Sequence, residues 1–257
     1  MDLATFIEQF TLALISFGAN FLSALAGGGA GLLQLPALLF LGLPFPTALA
    51  THKIASVALG LGAGLRHFQE KNLKAKFIAF VLGVGLPGVC LGAQLALFIP
   101  SELGARALGL LTFVIGIYSF QRPSLGTNNQ LIRTSPFRWF IGGMTLFAIA
   151  VLNGSLSSGT GLLVTLFLVR WFGFSYSEAI AYTLLLVGLF WNGTGALALG
   201  LRGEIKWAWL PILVFGSFIG GYAGAQLSIS KGSRFVKRAF EALTLLMGVS
   251  LIFRSFS

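Results

Sequence analysis

Polar residues punctuate this chain sparsely, and the apolar stretches between them are long. Runs at 3–25, 47–65, 77–99, 104–120, 137–152, 177–200, 207–229 and 236–253 reach or approach the roughly 17–25 residues with which a helix crosses a bilayer. The pattern predicts an all-α polytopic membrane protein. Within it lies ALAGGGAGLLQLP, residues 24–36, where Gly27, Gly28, Gly29 and Gly31 fill four of five positions. Glycine costs about 1 kcal/mol in a helix relative to alanine, so a helix ends there. The apolar run that follows, Ala30 to Leu43, closes at Pro44-Phe45-Pro46. At 1.5 Å per residue it measures about 20 Å, too short for a bilayer core of about 30 Å. Residues 159–174 form a similarly shortened run. Each predicts a broken or re-entrant half-helix that begins inside the protein.

The two short runs belong to a repeat spaced by about 131 residues. Gly29-Ala30-Gly31-Leu32-Leu33 returns as Gly159-Thr160-Gly161-Leu162-Leu163, and Leu41-Gly42-Leu43 as Phe172-Gly173-Phe174. Ala48 returns as Ala179, Gly92-Ala93-Gln94-Leu95 as Gly224-Ala225-Gln226-Leu227, and Arg106-Ala107 as Arg238-Ala239; Thr112 and Gly116 match Thr244 and Gly248. The division is a first transmembrane repeat at 1–120, a polar connecting loop at 121–136 and a second repeat at 137–257. Each holds four to five helical segments.

Charge adds orientation. Only 9% of residues are charged, mean hydropathy is +0.89, and the net charge is +10. In a soluble chain such a basic balance points to nucleic acid. Here the charges sit in short loops and point to membrane topology, with no nucleic acid partner. Arg66, Lys71, Lys74 and Lys76 precede the 77–99 run, whereas in the second half Lys231, Arg234, Lys237 and Arg238 follow the equivalent run. Cytoplasmic loops carry the Lys/Arg excess, so equivalent loops fall on opposite sides and the repeats are inverted. Placing 66–76, 121–138, 170–176 and 230–238 inside gathers 12 of the 17 basic residues there, with both termini outside. The start, MDLATFIEQF, lacks the positive region of a cleaved signal peptide, so the first apolar run is expected to remain. A single cysteine, Cys90, supports neither a disulfide framework nor a metal cluster, and no cofactor is expected.

Gly-interrupted segments in matching positions of two halves point to a transporter's binding site. The first N–H groups of each half-helix lack an intrahelical acceptor, and the dipole places about half a positive charge there. Two such ends aimed at one region form an anion seat, and glycine lets a ligand approach the backbone closely. The competing reading of these glycines is tight helix packing, which Gly60, Gly62 and Gly64 are expected to serve. The candidate substrate-binding residues are Gly27, Gly28, Gly29, Ala30 and Gly31 at the first break, with Asn20 and Gln34 flanking it. At the second break they are Asn153, Ser157, Ser158, Gly159, Thr160 and Gly161. The amide and hydroxyl side chains either donate to an anion without adding permanent charge or cap the broken ends. Thr51-His52-Lys53 completes the set. Ionisable residues inside a membrane segment are costly and usually functional. Lys53 either attracts the anion or snorkels to the interface, and His52 either carries a coupling proton or packs. No carboxylate lies mid-segment, so carboxylate-based proton coupling is not expected. Arg170-Trp171, Trp207 and Trp209 read as interfacial anchors. Gln94 and Gln226 either line the cavity or bond helix to helix, and the second reading is preferred.

The stretch LSALAGGGAGLLQLPALLFLGLP, then PTALATHK, with the echo NGSLSSGTGLLVTLFLVRWFGFSYSEAIAYT, resembles the TauE/SafE family of sulfite and organosulfur-anion exporters, also called TSUP. The resemblance covers nearly the whole chain. It implies a small bacterial-type inner-membrane carrier that exports sulfite, sulfonates or related anions. Two points limit what carries over: Ser157-Ser158-Gly159-Thr160-Gly161 stands in place of a run of glycines, and the resemblance assigns no role to His52-Lys53. The expected partners are a small anionic substrate and the lipid bilayer, with a homodimer left open. An anion-selective channel, or a carrier of another small oxyanion or carboxylate, is the alternative. An enzyme is not expected, because no nucleophile–base constellation, HExxH or Cys/His cluster occurs.

Overall fold

Two helices stop short of full length in the computed structural model, which describes residues 3–68, 73–96, 110, 113–126, 135–201 and 205–254. Helix α1 (Leu3–Ala26) ends where Gly27, Gly28 and Gly29 adopt φ of 84°, 134° and 98°, values that a side chain disfavours. The chain restarts at once as α2 (Ala30–Phe40), whose 11 residues extend only about 17 Å. In α3 (Phe45–Phe68), Pro46 occupies the first turn, where its missing N–H leaves no bond unmade. Helix α4 (Ala75–Leu95) and a helical stretch α5 at 113–120 follow.

The second half runs in the same order. Helix α6 (Pro136–Leu156) ends at Ser157, with φ of 58°, and Gly159, with φ of 72°. The short α7 (Thr160–Phe172) comes next, then α8 (Tyr176–Gly200) and α9 (Leu210–Arg254), bent at Gly232. Among the described residues every regular element is helical. Six helices among the described residues are long and apolar enough to cross a membrane, and α2 and α7 are the shorter apolar ones. The chain is thus an all-α polytopic membrane protein. The last two apolar runs form the two arms of α9, separated at Gly232, whose φ of 73° and ψ of 178° are not helical. Lys71, Arg106, Thr112 and Arg202 lie outside the described residues.

Small residues set the contacts. A Cβ on Gly220 or Gly224 of α9 would collide with the carbonyls of Phe17 or Phe21 on α1, and one on Gly92 of α4 with the carbonyl of Val151 on α6. Backbones approach this closely only where side chains are missing. So α1 lies on the first part of α9, and α6 lies on α4. Gly62 and Gly221 seat α3 on α9, while Gly85 on α4 accommodates Trp191 of α8. Under the sequence correspondence of α1 with α6, α3 with α8 and α4 with the start of α9, each pairing becomes the other when the halves are exchanged. Helices α3 and α8 themselves cross at Gly60 and Gly188, where a Cβ on Gly188 would stand 3.0 Å from Gly60 Cα. The packing role expected of Gly60 and Gly62 is therefore observed, whereas Gly64 has only an ordinary contact, with Leu185.

Large apolar side chains such as Phe6, Phe10, Phe140, Met144 and Phe215 are exposed, as on a surface that meets lipid. Arg138 stacks on the Trp171 ring at 4.6 Å and donates to its carbonyl. Trp207 is exposed, but Trp209 is buried, so it packs in the core beside Leu213 instead of acting as an exposed anchor. Of the repeat glutamines, Gln226 accepts a hydrogen bond from Arg66 and Gln94 is exposed.

Candidate functional site

The two breaks meet. A methyl on Gly28 would stand 2.5 Å from the carbonyl carbon of Gly161, and one on Gly161 would stand 2.9 Å from Gly28 Cα. The starts of α2 and α7 therefore lie against each other, and only glycine allows it. Each break is also stitched to the other half. Thr165 Oγ1 of α7 donates to Gly27 O at 2.6 Å, and Ser158 Oγ donates to Gly31 O at 2.8 Å. Within the second break, Asn153 Nδ2 donates to Thr160 Oγ1 at 2.9 Å, which in turn donates to Ser157 O at 2.9 Å.

Beside this junction lies a cavity of about 30 Å³, room for two or three waters at the roughly 10–15 Å³ that each requires. Its walls include Gly28, Gly29, Ala30, Gly31, His52, Asn153, Ser157, Thr160 and Gly161, all candidates from the sequence. The amides of Ala30 and Gly31, and of Thr160 and Gly161, are first-turn donors that a helix leaves without its own acceptors. Ser23, Ser56, Leu59, Thr183, Leu184, Val187, Gly188 and Asn192 complete the lining. Ser23 Oγ is buried and has no hydrogen-bond partner among the described residues. The segment Leu184–Trp191 of α8 is π-helical. Its wider turn, a form that recurs at functional sites, contributes Leu184, Val187 and Gly188 to the walls.

The remaining candidates stand behind the walls or apart from them. Lys53 is fully buried. Its ammonium donates to Asn153 O at 2.8 Å, Asn153 Oδ1 at 3.4 Å and Ser157 Oγ at 3.3 Å. Gly195 of α8 covers its stem, since a Cβ there would be 2.9 Å from Lys53 Cδ. Lys53 thus occupies the carbonyl end of α6, where the dipole is negative. That end would otherwise oppose the positive end of α7. Among the described residues the buried acid is Glu241, and it pairs with Lys237. The Lys53 charge therefore has dipolar partners and no carboxylate.

His52 Nδ1 is 2.8 Å from Gln34 Oε1, and Gln34 Nε2 donates to Ser16 Oγ at 3.1 Å. Asn20 joins the same cluster through Ser217 Oγ at 2.9 Å. Thr51 instead accepts from the backbone N–H of Lys206 at 3.1 Å, away from the cavity. Gly27, Ser158 and Gly159 shape the breaks without lining the cavity.

Thr183 and Ser56 had readable signals. The spacing that takes Ala48 to Ala179 takes His52 to Thr183, and Ser56 follows His52 by one helical turn. Asn192 had none, because its place depends on how α8 crosses α3.

Opposed half-helices beside a polar pocket, in an all-helical bundle built to cross a bilayer, define the class as a membrane transporter. Residues 12–251 match the family described as sulfite exporter TauE/SafE, and the chain belongs to that family. It is 28% identical over 94% of its length to a probable membrane transporter protein of Haemophilus influenzae, covering 93% of that protein. It is 27% identical over 95% of its length to the probable membrane transporter protein YfcA of Escherichia coli, covering 89%. It is 23% identical over 97% of its length to the probable membrane transporter protein YunE of Bacillus subtilis, covering 98%. The protein is a multi-pass membrane transporter, not an enzyme.

Proposed function

We propose that the protein is a secondary carrier that exports a small sulfur-containing anion, such as sulfite or an organosulfonate, across a bacterial-type inner membrane. The supporting observation is the junction of two half-helix starts at one buried cavity, with a lysine nearby and no carboxylate in the walls. First-turn amides supply hydrogen bonds to oxyanion oxygens, and Ser23 Oγ adds a donor that has no partner among the described residues. By neutralising the carbonyl end of α6, Lys53 leaves the positive ends of α2 and α7 uncancelled. The family description favours sulfite among oxyanions.

The exchange of packing partners between the halves supports inverted repeats, with the site near the membrane midplane and both termini outside. A sulfonate is larger than the present cavity, so loading requires the walls to part. Rocking one half against the other would expose the site to each side in turn.

The test is counterflow in vesicles. Purified protein in liposomes preloaded with unlabelled sulfite, thiosulfate or sulfoacetate should accumulate the labelled anion transiently and saturably. Flux that rises linearly with concentration and shows no counterflow would indicate a channel and overturn the carrier reading.

A further inference from the structure

The polar cluster behind the cavity has a hydrogen-bond direction, and it fixes what His52 shows to the cavity. Ser16 Oγ donates to Leu213 O at 2.6 Å. Its one hydrogen is committed, so it accepts in its 2.9 Å contact with Ser217 Oγ and accepts again from Gln34 Nε2 at 3.1 Å. With the amide nitrogen of Gln34 turned to Ser16, its oxygen faces His52. The 2.8 Å bond to Gln34 Oε1 then requires the hydrogen to sit on His52 Nδ1. In the neutral ring this leaves Nε2 as a bare acceptor.

That atom is on the cavity side. His52 lines the cavity, and a Cβ on its wall residue Gly31 would lie 3.1 Å from Nε2. The partner recorded for Nε2 is Ser56 Oγ at 3.3 Å, beyond the usual range for a strong hydrogen bond.

An oxyanion entering here meets a lone pair, and two acceptors facing each other repel unless a proton lies between them. If the proton is on Nε2, the imidazolium donates to the anion. If it is on the anion, the acid O–H donates to Nε2. Both forms contain one anion and one proton. We infer that the site loads its anion together with one proton shared with His52 Nε2, which makes transport anion–proton coupled.

No fixed charge substitutes for that proton. Lys53 follows His52 on α3, but its ammonium points to the end of α6. Gln34 of α2, Ser16 of α1 and Ser217 of α9 are neutral, as are Thr183 and Asn192, which α8 brings to the cavity. This inference rests on the oxyanion-carrier reading.

The experiment uses full-length protein in phosphatidylethanolamine–phosphatidylglycerol vesicles containing a lumenal pH dye. The probes are labelled sulfite, thiosulfate and sulfoacetate. Exchange at equal pH on both sides tests the carrier, and acidification of the lumen during net uptake tests the proton. One proton should enter per anion, and apparent affinity should fall about tenfold per pH unit once the proton must be acquired on binding.

His52→Gln should lose that slope. Gln34→Glu, whose carboxylate would hold the imidazolium, should shift the fall-off upward by about one pH unit or more, so a poorly folding His52→Gln does not leave the question open. No exchange of any probe would overturn the carrier reading and this inference together. Exchange and net uptake without acidification would overturn proton coupling alone. An unchanged slope in His52→Gln, or a Gln34→Glu profile that superimposes on wild type, would overturn the assignment to His52.

Discussion

Ser23 and Lys53 illustrate two ways for a polar side chain to be buried in this protein. Ser23 Oγ is enclosed without a partner, a cost of about 1–3 kcal/mol for an unmet buried group. Ser23→Ala removes that cost along with a donor to the cavity. The variant should melt at the wild-type temperature or higher in detergent, yet bind labelled anion about five- to tenfold more weakly, a loss of about 1–1.4 kcal/mol. Lys53 is satisfied by three acceptors at the end of α6. Lys53→Met strips the cation and leaves buried acceptors unmet. Hydrogen bonds to charged groups contribute about 1.5–3 kcal/mol, so counterflow should drop tenfold or more. Wild-type counterflow in Lys53→Met would remove Lys53 from the mechanism.

The short helices α2 and α7 depend on glycine for two separate reasons. Positive φ at Gly27–Gly29 and Gly159 turns the chain, while the bare Cα atoms of Gly28 and Gly161 let the turns touch. At Gly92 in α4 only the second reason applies. Gly92→Ala forces α4 from α6, because its Cβ would meet Val151 O, and overpacking of this kind costs about 1–3 kcal/mol. Gly18→Ala in α1 and Gly83→Ala in α4 place a Cβ with nothing within 4 Å. They should gain stability, by about 0.4–1 kcal/mol from a stiffer unfolded chain. Thermal melts of the three variants in one detergent check the contrast, and Gly92→Ala should be the one that falls.

Viewed whole, the molecule has two halves whose helices exchange packing partners, and the inverted arrangement proposed for them makes a labelling prediction. In a chain with the exposed Cys90 replaced by alanine, Leu41→Cys and Leu201→Cys should react with an impermeant maleimide added outside intact cells. Ser124→Cys and Ser230→Cys should react only after lysis. These positions are exposed. Labelling of Leu41→Cys and Ser124→Cys from the same face would exclude the proposed topology, since the apolar runs 47–65, 77–99 and 104–120 separate them by three proposed crossings.

What could be read without coordinates was whatever depends on neighbours along the chain. Hydrophobic length marked the spans, glycine propensity placed both breaks, and the repeat showed that they correspond. The family resemblance rested on the same local features. What needed the tertiary structure was every relation between residues far apart in the chain. The contact of Gly28 with Gly161, the reach of Lys53 to Asn153 and the wall formed by Asn192 depend on how helices cross. Those crossings arise from many shallow packing contacts between small residues, none of which carries a distinctive signature of its own. The separation of His52 from Lys53 is the clearest instance: adjacent residues on one helix point about 100° apart, so one ring faces the cavity while the neighbouring ammonium secures the end of α6.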